Sequence, residues 1–277
     1  MKTMVTILLA CLLAVSATRA AFAAGTMDLV RASLVSENRS VEAGVPFWVA
    51  VRLEMSEGWH VNWLNPGDAG LAPTVDWELP EGFEAGDLQW PHPEKFALPE
   101  LSIYGYEGDV FLLTEITPPA SVDAPVLIKA RVTWLACSDA CVPGEAKLEL
   151  ELDASERAAA DPRWVSAFAK TRTALPAVAE GWRFSARLFD DRLSLTASPP
   201  GGEDVVLKHV ALYPSAEGLI ESAPPQRLSR NGGDFVLDVA RSKIGLDAPP
   251  RLQGVLVSES GWGRIPRNAV AIDIPLE

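Results

Sequence analysis

The stretch VLIKARVTWLACSDACVPGEAKLELELD, residues 126–153, decides the fold. Val126, Ile128, Ala130, Val132 and Trp134 alternate with Lys129, Arg131 and Thr133; further on, Ala146, Leu148, Leu150 and Leu152 alternate with Lys147, Glu149, Glu151 and Asp153. A period of two with one apolar side marks a half-buried strand. Residues 126–153 therefore predict two strands around a connection, residues 136–145, that holds Cys137, Cys141 and the breaker pair Pro143-Gly144. Loops held by rigid strands are where chemistry concentrates.

Upstream, Phe47, Val49, Val51, Leu53 and Met55 fall on one side of a third strand, with Arg52 and Glu54 on the other. Residues 58–108 are proline-rich and aperiodic, with Trp59, Trp63, Trp77 and Trp90 scattered through them, and predict long loops over a sandwich. Downstream, Asp161 is placed to cap a helix with Pro162 at its first position, on which Trp164, Phe168 and Leu175 recur before Pro176 ends it. Residues 182–195, 205–213, 235–239, 252–257 and 269–274 are short strand-like runs separated by Pro-Pro, Gly-Gly and Asn-Gly-Gly turns. The expectation is an all-β chain: a first sandwich over residues 25–155, a linker helix within 156–178 and a second sandwich over 179–277. No fixed-period repeat or low-complexity tract interrupts this plan.

Composition bounds the chemistry. The 277 residues are 48% hydrophobic and 22% charged, enough to bury large cores, which excludes a mainly disordered chain. With 37 acidic against 24 basic side chains the net charge is −13, so a nucleic-acid partner is excluded by repulsion. Residues 1–24 carry Lys2, an apolar run from Val5 to Val15 and a small-x-small site at Ala21-Phe22-Ala23, the pattern of a secretory signal peptide. The run is shorter than the roughly 20 residues that span a bilayer. Cleavage removes Lys2, Arg19 and no acid, taking the charge to −15. Cys11 leaves with it, and of three cysteines two remain. An alternative lipoprotein box at Leu8-Leu9-Ala10-Cys11 would strand the apolar residues 12–15 after the cleavage site. The expected compartment is the periplasm, where a close cysteine pair can be oxidised.

The three residues between Cys137 and Cys141 let one compact turn bring the Cα atoms within disulfide reach. Three uses stay open. As a staple, so short a ring is worth only about 2 kcal/mol, little for a chain with large cores. As an exchanging pair, one sulfur attacks a partner's disulfide and the other resolves the mixed disulfide, so both are needed. Asp139 and Glu145 nearby oppose thiolate formation, while Arg131 and Lys147 are the nearest cations. As a soft-metal site, the two thiolates could hold Cu(I). Zinc would need more ligands, and His60, His92 and His209 show no ligand-like spacing to the pair. Hydrolase and phosphate-loop signatures are missing from the sequence.

Residues 132–146, VTWLACSDACVPGEA, resemble the redox loop of the N-terminal periplasmic domain of the thiol:disulfide interchange protein DsbD, in the version found in the suppressor-of-copper-sensitivity protein ScsB. Residues 58–71, GWHVNWLNPGDAGL, and 104–108, YGYEG, agree in order and spacing. Leu212-Tyr213-Pro214 and residues 252–257, LQGVLV, extend the likeness to the downstream half. The resemblance implies two immunoglobulin-like β-sandwich domains, the first carrying a redox-active Cys137–Cys141 pair and needing no cofactor. It implies a protein-disulfide reductase relay, with a membrane-embedded thiol reductase as donor and periplasmic thioredoxin-fold or other thiol proteins as acceptors. It further places Ile103 and Tyr104 in a cap loop over the pair, and Trp59, His60 and Trp63 in an aromatic block near it. The family pattern continues into transmembrane helices and a thioredoxin-like domain, whereas the sequence here ends at Glu277, so the donor is expected to be a separate protein. The C-x3-C spacing is shorter than in the best-known DsbD branch and leaves the order of attack open.

Overall fold

The computed structural model describes residues 29–97, 101–123, 125–201, 204–243 and 248–277. The expected signal peptide, residues 1–24 with Cys11, lies outside them. The first half runs β1 (Val30–Ser36), β2 (Ser40–Val41), β3 (Phe47–Met55), β4 (His60–Gly67), β5 (Thr74–Glu78), β6 (Glu84–Ala85), β7 (Glu94–Ala97), β8 (Ser102–Glu107), β9 (Asp109–Thr117), β10 (Val126–Cys137) and β11 (Cys141–Ala154). These strands form two sheets, ordered β1-β3-β9-β6 and β2-β11-β10-β4-β8-β7, with β5 added on β10. Apolar faces from both meet in one core: Val49, Val51 and Leu53 of β3 and Leu112 of β9 pack with Ile128, Val132 and Trp134 of β10 and Val61 of β4. The alternation predicted for β3 and β10 is the alternation that buries them.

After β11, helix α1 (Val165–Ala174) precedes β12 (Ala177–Val178), β13 (Arg183–Leu188), β14 (Arg192–Ser198), β15 (Ala211–Pro214), β16 (Arg227–Asn231), β17 (Asp234–Ala240), β18 (Arg251–Val257) and β19 (Ala269–Pro275). Two further sheets result, β12-β19-β18-β15 and β13-β14-β17-β16. Leu193, Leu195, Leu237, Leu252, Leu256 and Trp262 fill the core between them. The all-β, immunoglobulin-like sandwich architecture is thus present. The first core continues onto the second half at Tyr213, Val255 and Ala269, so the two halves share a seam.

Several expectations change. Residues 58–108 hold five strands, β4 to β8, rather than long loops. Their strands are short and the β4–β8 register shifts between Asn62 and Gly67, which breaks the alternation that would announce them. Helix α1 starts at Val165, not at Pro162. Asp161 uses its carboxylate on the Arg163 N–H and guanidinium instead of on a helix N-terminus. The helix is also docked: fully buried Phe168 packs with Val35, Ala50, Phe111 and Leu113, and Arg172 pairs with Glu37. In the second half, the run 182–195 is interrupted at residues 189–191 to make the β13–β14 hairpin, and residues 205–210 are outside any strand. Strand β16, mostly polar and exposed, gives no apolar signal.

Candidate redox site

The β10–β11 ladder is unbroken from Val126↔Leu152 to Cys137↔Cys141. The breaker pair therefore lies inside a strand, and the connection shrinks to residues 138–140, closed by a hydrogen bond from Ser138 N–H to the Ala140 carbonyl (3.1 Å). Two features let β11 carry Pro143-Gly144. Among the described residues its outer edge there pairs with no other strand, β2 joining only at Asp153 and Ala154, and sheet edges are where proline is tolerated. Opposite Gly144 stands Trp134, whose indole would lie 2.4 Å from any Cβ at that position, so only glycine fits beneath the ring.

Cys137 and Cys141 are bonded (S–S 2.06 Å, Cα–Cα 4.1 Å). Their exposure is unequal: Cys137 is 1% exposed, whereas Cys141 stands open at the start of β11. On β10 the even-numbered residues from Val126 to Ala136 enter the core, so Cys137 points to the opposite face of the sheet. Across that face the register sets Cys141, Cys137, His60 and Glu107 side by side on β11, β10, β4 and β8. Directly opposed residues in an antiparallel ladder share a face, with Cβ atoms roughly 4.5–5.5 Å apart. A dithiol pair, an imidazole and a carboxylate thus form one row.

His60, by default a polar loop residue when taken from the sequence, is a buried strand residue beside the disulfide. Its ring stacks on Phe96 of β7, centroids 5.2 Å apart, and its Nε2 is buried with no hydrogen-bond partner among the described residues. Burial pushes its pKa below the usual imidazole value, opposed by the nearby Glu107 carboxylate. A histidine whose folded pKa is depressed binds fewer protons than the unfolded chain between the two values, so it costs stability as pH falls through the unfolded value of about 6.5. Urea midpoints should accordingly drop between pH 7.5 and pH 5 by less in His60→Gln than in the parent chain; equal drops would sink this assignment.

The other aromatic candidates gather elsewhere. Trp63 and Tyr104 are buried and meet the edge of Tyr213 on the second half, at 6.3 and 4.9 Å. Burial raises the hydroxyl pKa of Tyr104, and that of Tyr213 to about 12. Ile103 is locked in the β8 ladder between Gly67 and Phe96. The two residues that the resemblance assigns to a cap thus sit in β8, two strands from β10 and several residues along from the His60 register, while Trp59 is half-buried against the first core. The ring stacked on His60 is that of Phe96, which lies in the aperiodic proline-rich stretch and carried no signal in the sequence. Glycine makes that contact possible: Gly105 lies between Asn62 and Glu94 on the same face, where no side chain holds the two rings apart.

Beside the row, Asn62 holds the segment after β4. Its Oδ1 accepts the Leu71 N–H (3.2 Å), and Gly70, at φ +122°, lies so close that a Cβ would sit 2.4 Å from the amide. That segment walls a cleft of about 440 Å³ with Leu71, Ala72, Trp134, Leu135, Pro143 and Gly144. Glu145, one of the carboxylates expected to oppose a thiolate, is held by Arg131 through two 2.9 Å bonds, which keep its carboxyl pKa low.

The fold that carries this site has known counterparts. Residues 31–153 match the family model for the thiol:disulfide interchange protein DsbD, N-terminal. That segment belongs to the DsbD N-terminal family. Among solved structures, the N-terminal periplasmic domain of ScsB from Proteus mirabilis is similar over 90% of this chain and 94% of its own, with a TM-score of 0.64 and 16% identity. At that identity the likeness shows a shared fold, and it extends past the DsbD-type segment into the second half. The major pilin subunit BcpA of Bacillus cereus aligns over 90% of this chain and 66% of its own at 8% identity and a TM-score of 0.27, too low to bear on the argument. No curated protein matches the chain in sequence.

Proposed function

We propose that the chain is a periplasmic dithiol/disulfide relay that accepts electrons from a membrane-embedded thiol reductase and passes them to thioredoxin-fold or other thiol proteins. Residues 25–155 form the redox domain, 156–178 the link and 179–277 a second domain that serves for interaction or as a spacer. The observation that carries this is a disulfide at the tip of a DsbD-type hairpin with one open and one buried sulfur. Cys141 is the sulfur a partner can reach, so it makes and breaks the mixed disulfide, and Cys137 resolves it. The seam through Tyr213 and the bonds from Lys95 to the Ser222 and Ala223 carbonyls tie β7, and with it Phe96, to the second domain, which on this reading braces the cover over the pair.

A relay disulfide must be reducible at biological potentials. Equilibration of the full chain with glutathione buffers, followed by thiol alkylation and mass measurement, should give a potential above about −300 mV. A pair that stays oxidised well below that value would be a structural staple.

A further inference from the structure

We propose that His60 is the proton acceptor for Cys137 in the step that resolves the mixed disulfide, an inference that rests on the relay reading above. The two residues are opposed in the β4–β10 ladder and share a face, and both are buried. A buried thiol resists ionisation, yet only the thiolate attacks a disulfide, so Cys137 needs a base within the protein. The unpartnered His60 Nε2 is such a group. A buried polar atom without a partner is costly and calls for an explanation; reduction of the pair supplies one, because Cys137 then bears an S–H on the same face. Burial also keeps the imidazole neutral near pH 7, in its accepting form. The charge directly facing it is Glu107 on β8, a carboxylate that favours the imidazolium once formed; Glu94 on β7 lies one pair further along the same face. Lys95 is turned away, bound to the Ser222 and Ala223 carbonyls.

The step balances. Cys141 thiolate attacks an acceptor disulfide, forming one S–S bond and expelling the acceptor's second sulfur as thiolate. His60 takes the Cys137 proton. The Cys137 thiolate then attacks Cys141 Sγ, closing the Cys137–Cys141 bond and releasing the acceptor's first sulfur, which leaves with the proton from the imidazolium. Two electrons pass from the dithiol to the acceptor.

The test uses the reduced full chain and 5,5′-dithiobis(2-nitrobenzoate) as acceptor. Release of thionitrobenzoate should be biphasic, the first phase from attack by Cys141 and the second from resolution by Cys137. In His60→Gln the ratio of second- to first-phase rate should fall roughly 10- to 100-fold at pH 7 and rise again as the pH is raised, since hydroxide then takes over the removal of the proton. Glu107→Gln, at an exposed position, should lower the same ratio roughly threefold near neutrality by removing support for the imidazolium, and it keeps the test alive if the first variant folds poorly. An unchanged ratio in both variants overturns the proposal. So does a ratio lowered equally at every pH, since a packing role would do that. Absence of a second phase in the parent chain would instead overturn the relay reading beneath it.

Discussion

Cys137→Ser, mixed with an oxidised thioredoxin-fold acceptor, should accumulate a covalent complex through Cys141, while Cys141→Ser should accumulate roughly tenfold less, as expected for a buried attacking sulfur. The asymmetry comes from the hairpin: β10 ends with its last side chain turned to the covered face, whereas β11 begins with an open one. Removing Cys137 deletes the group that would resolve the intermediate, so the complex persists. Removing Cys141 leaves the buried Cys137 thiol, beside His60 in the ladder, which an acceptor disulfide reaches less readily. Either substitution abolishes turnover, so activity alone cannot tell them apart. Non-reducing gels with peptide mapping of the trapped cysteine can. Equal trapping through both sulfurs, or preferential trapping through Cys137, would overturn the assigned order.

The cysteine pair was legible in the sequence because its signals are local: two alternating strands and a short spacing between sulfurs. What surrounds the pair was not. His60 is brought beside Cys137 by the pairing of β4 with β10, a long-range contact over just two residue pairs, Ala136↔Val61 and Cys137↔His60. The resemblance covers the block holding His60, but its neighbour Cys137 and its unpartnered Nε2 follow from the register. Phe96 failed for a related reason, since its strand is four residues long and proline-flanked. Pro143-Gly144 misled in the opposite direction: as a dipeptide it reads as a turn, yet an unpaired edge and the Trp134 ring make it strand. Local patterns reported which faces are apolar, and the sheet order decided which polar groups meet on the other face.

Gly105→Ala should be the most damaging single-methyl change near the site. A Cβ there would fall 2.3 Å from the Val61 carbonyl oxygen and 3.3 Å from the Asn62 Cα, so it meets backbone of the adjacent strand, which no rotamer change can relieve. Strands β4 and β8 must separate, and β4 is the strand that presents His60 to Cys137. Overpacking of a rigid site costs about 3 kcal/mol, which should lower the urea midpoint with little change in slope. Gly233→Ala, with open space around its Cβ, is the control and should stay within about 0.5 kcal/mol. A second readout follows from the same displacement: with the His60–Phe96 stack disturbed, Cys137 in the reduced chain should be alkylated faster than in the parent, approaching Cys141. If stability fell but Cys137 kept its protection, the cover would not depend on the β4–β8 ladder. If neither changed, the close approach of Gly105 to Val61 would not be a real constraint on the fold.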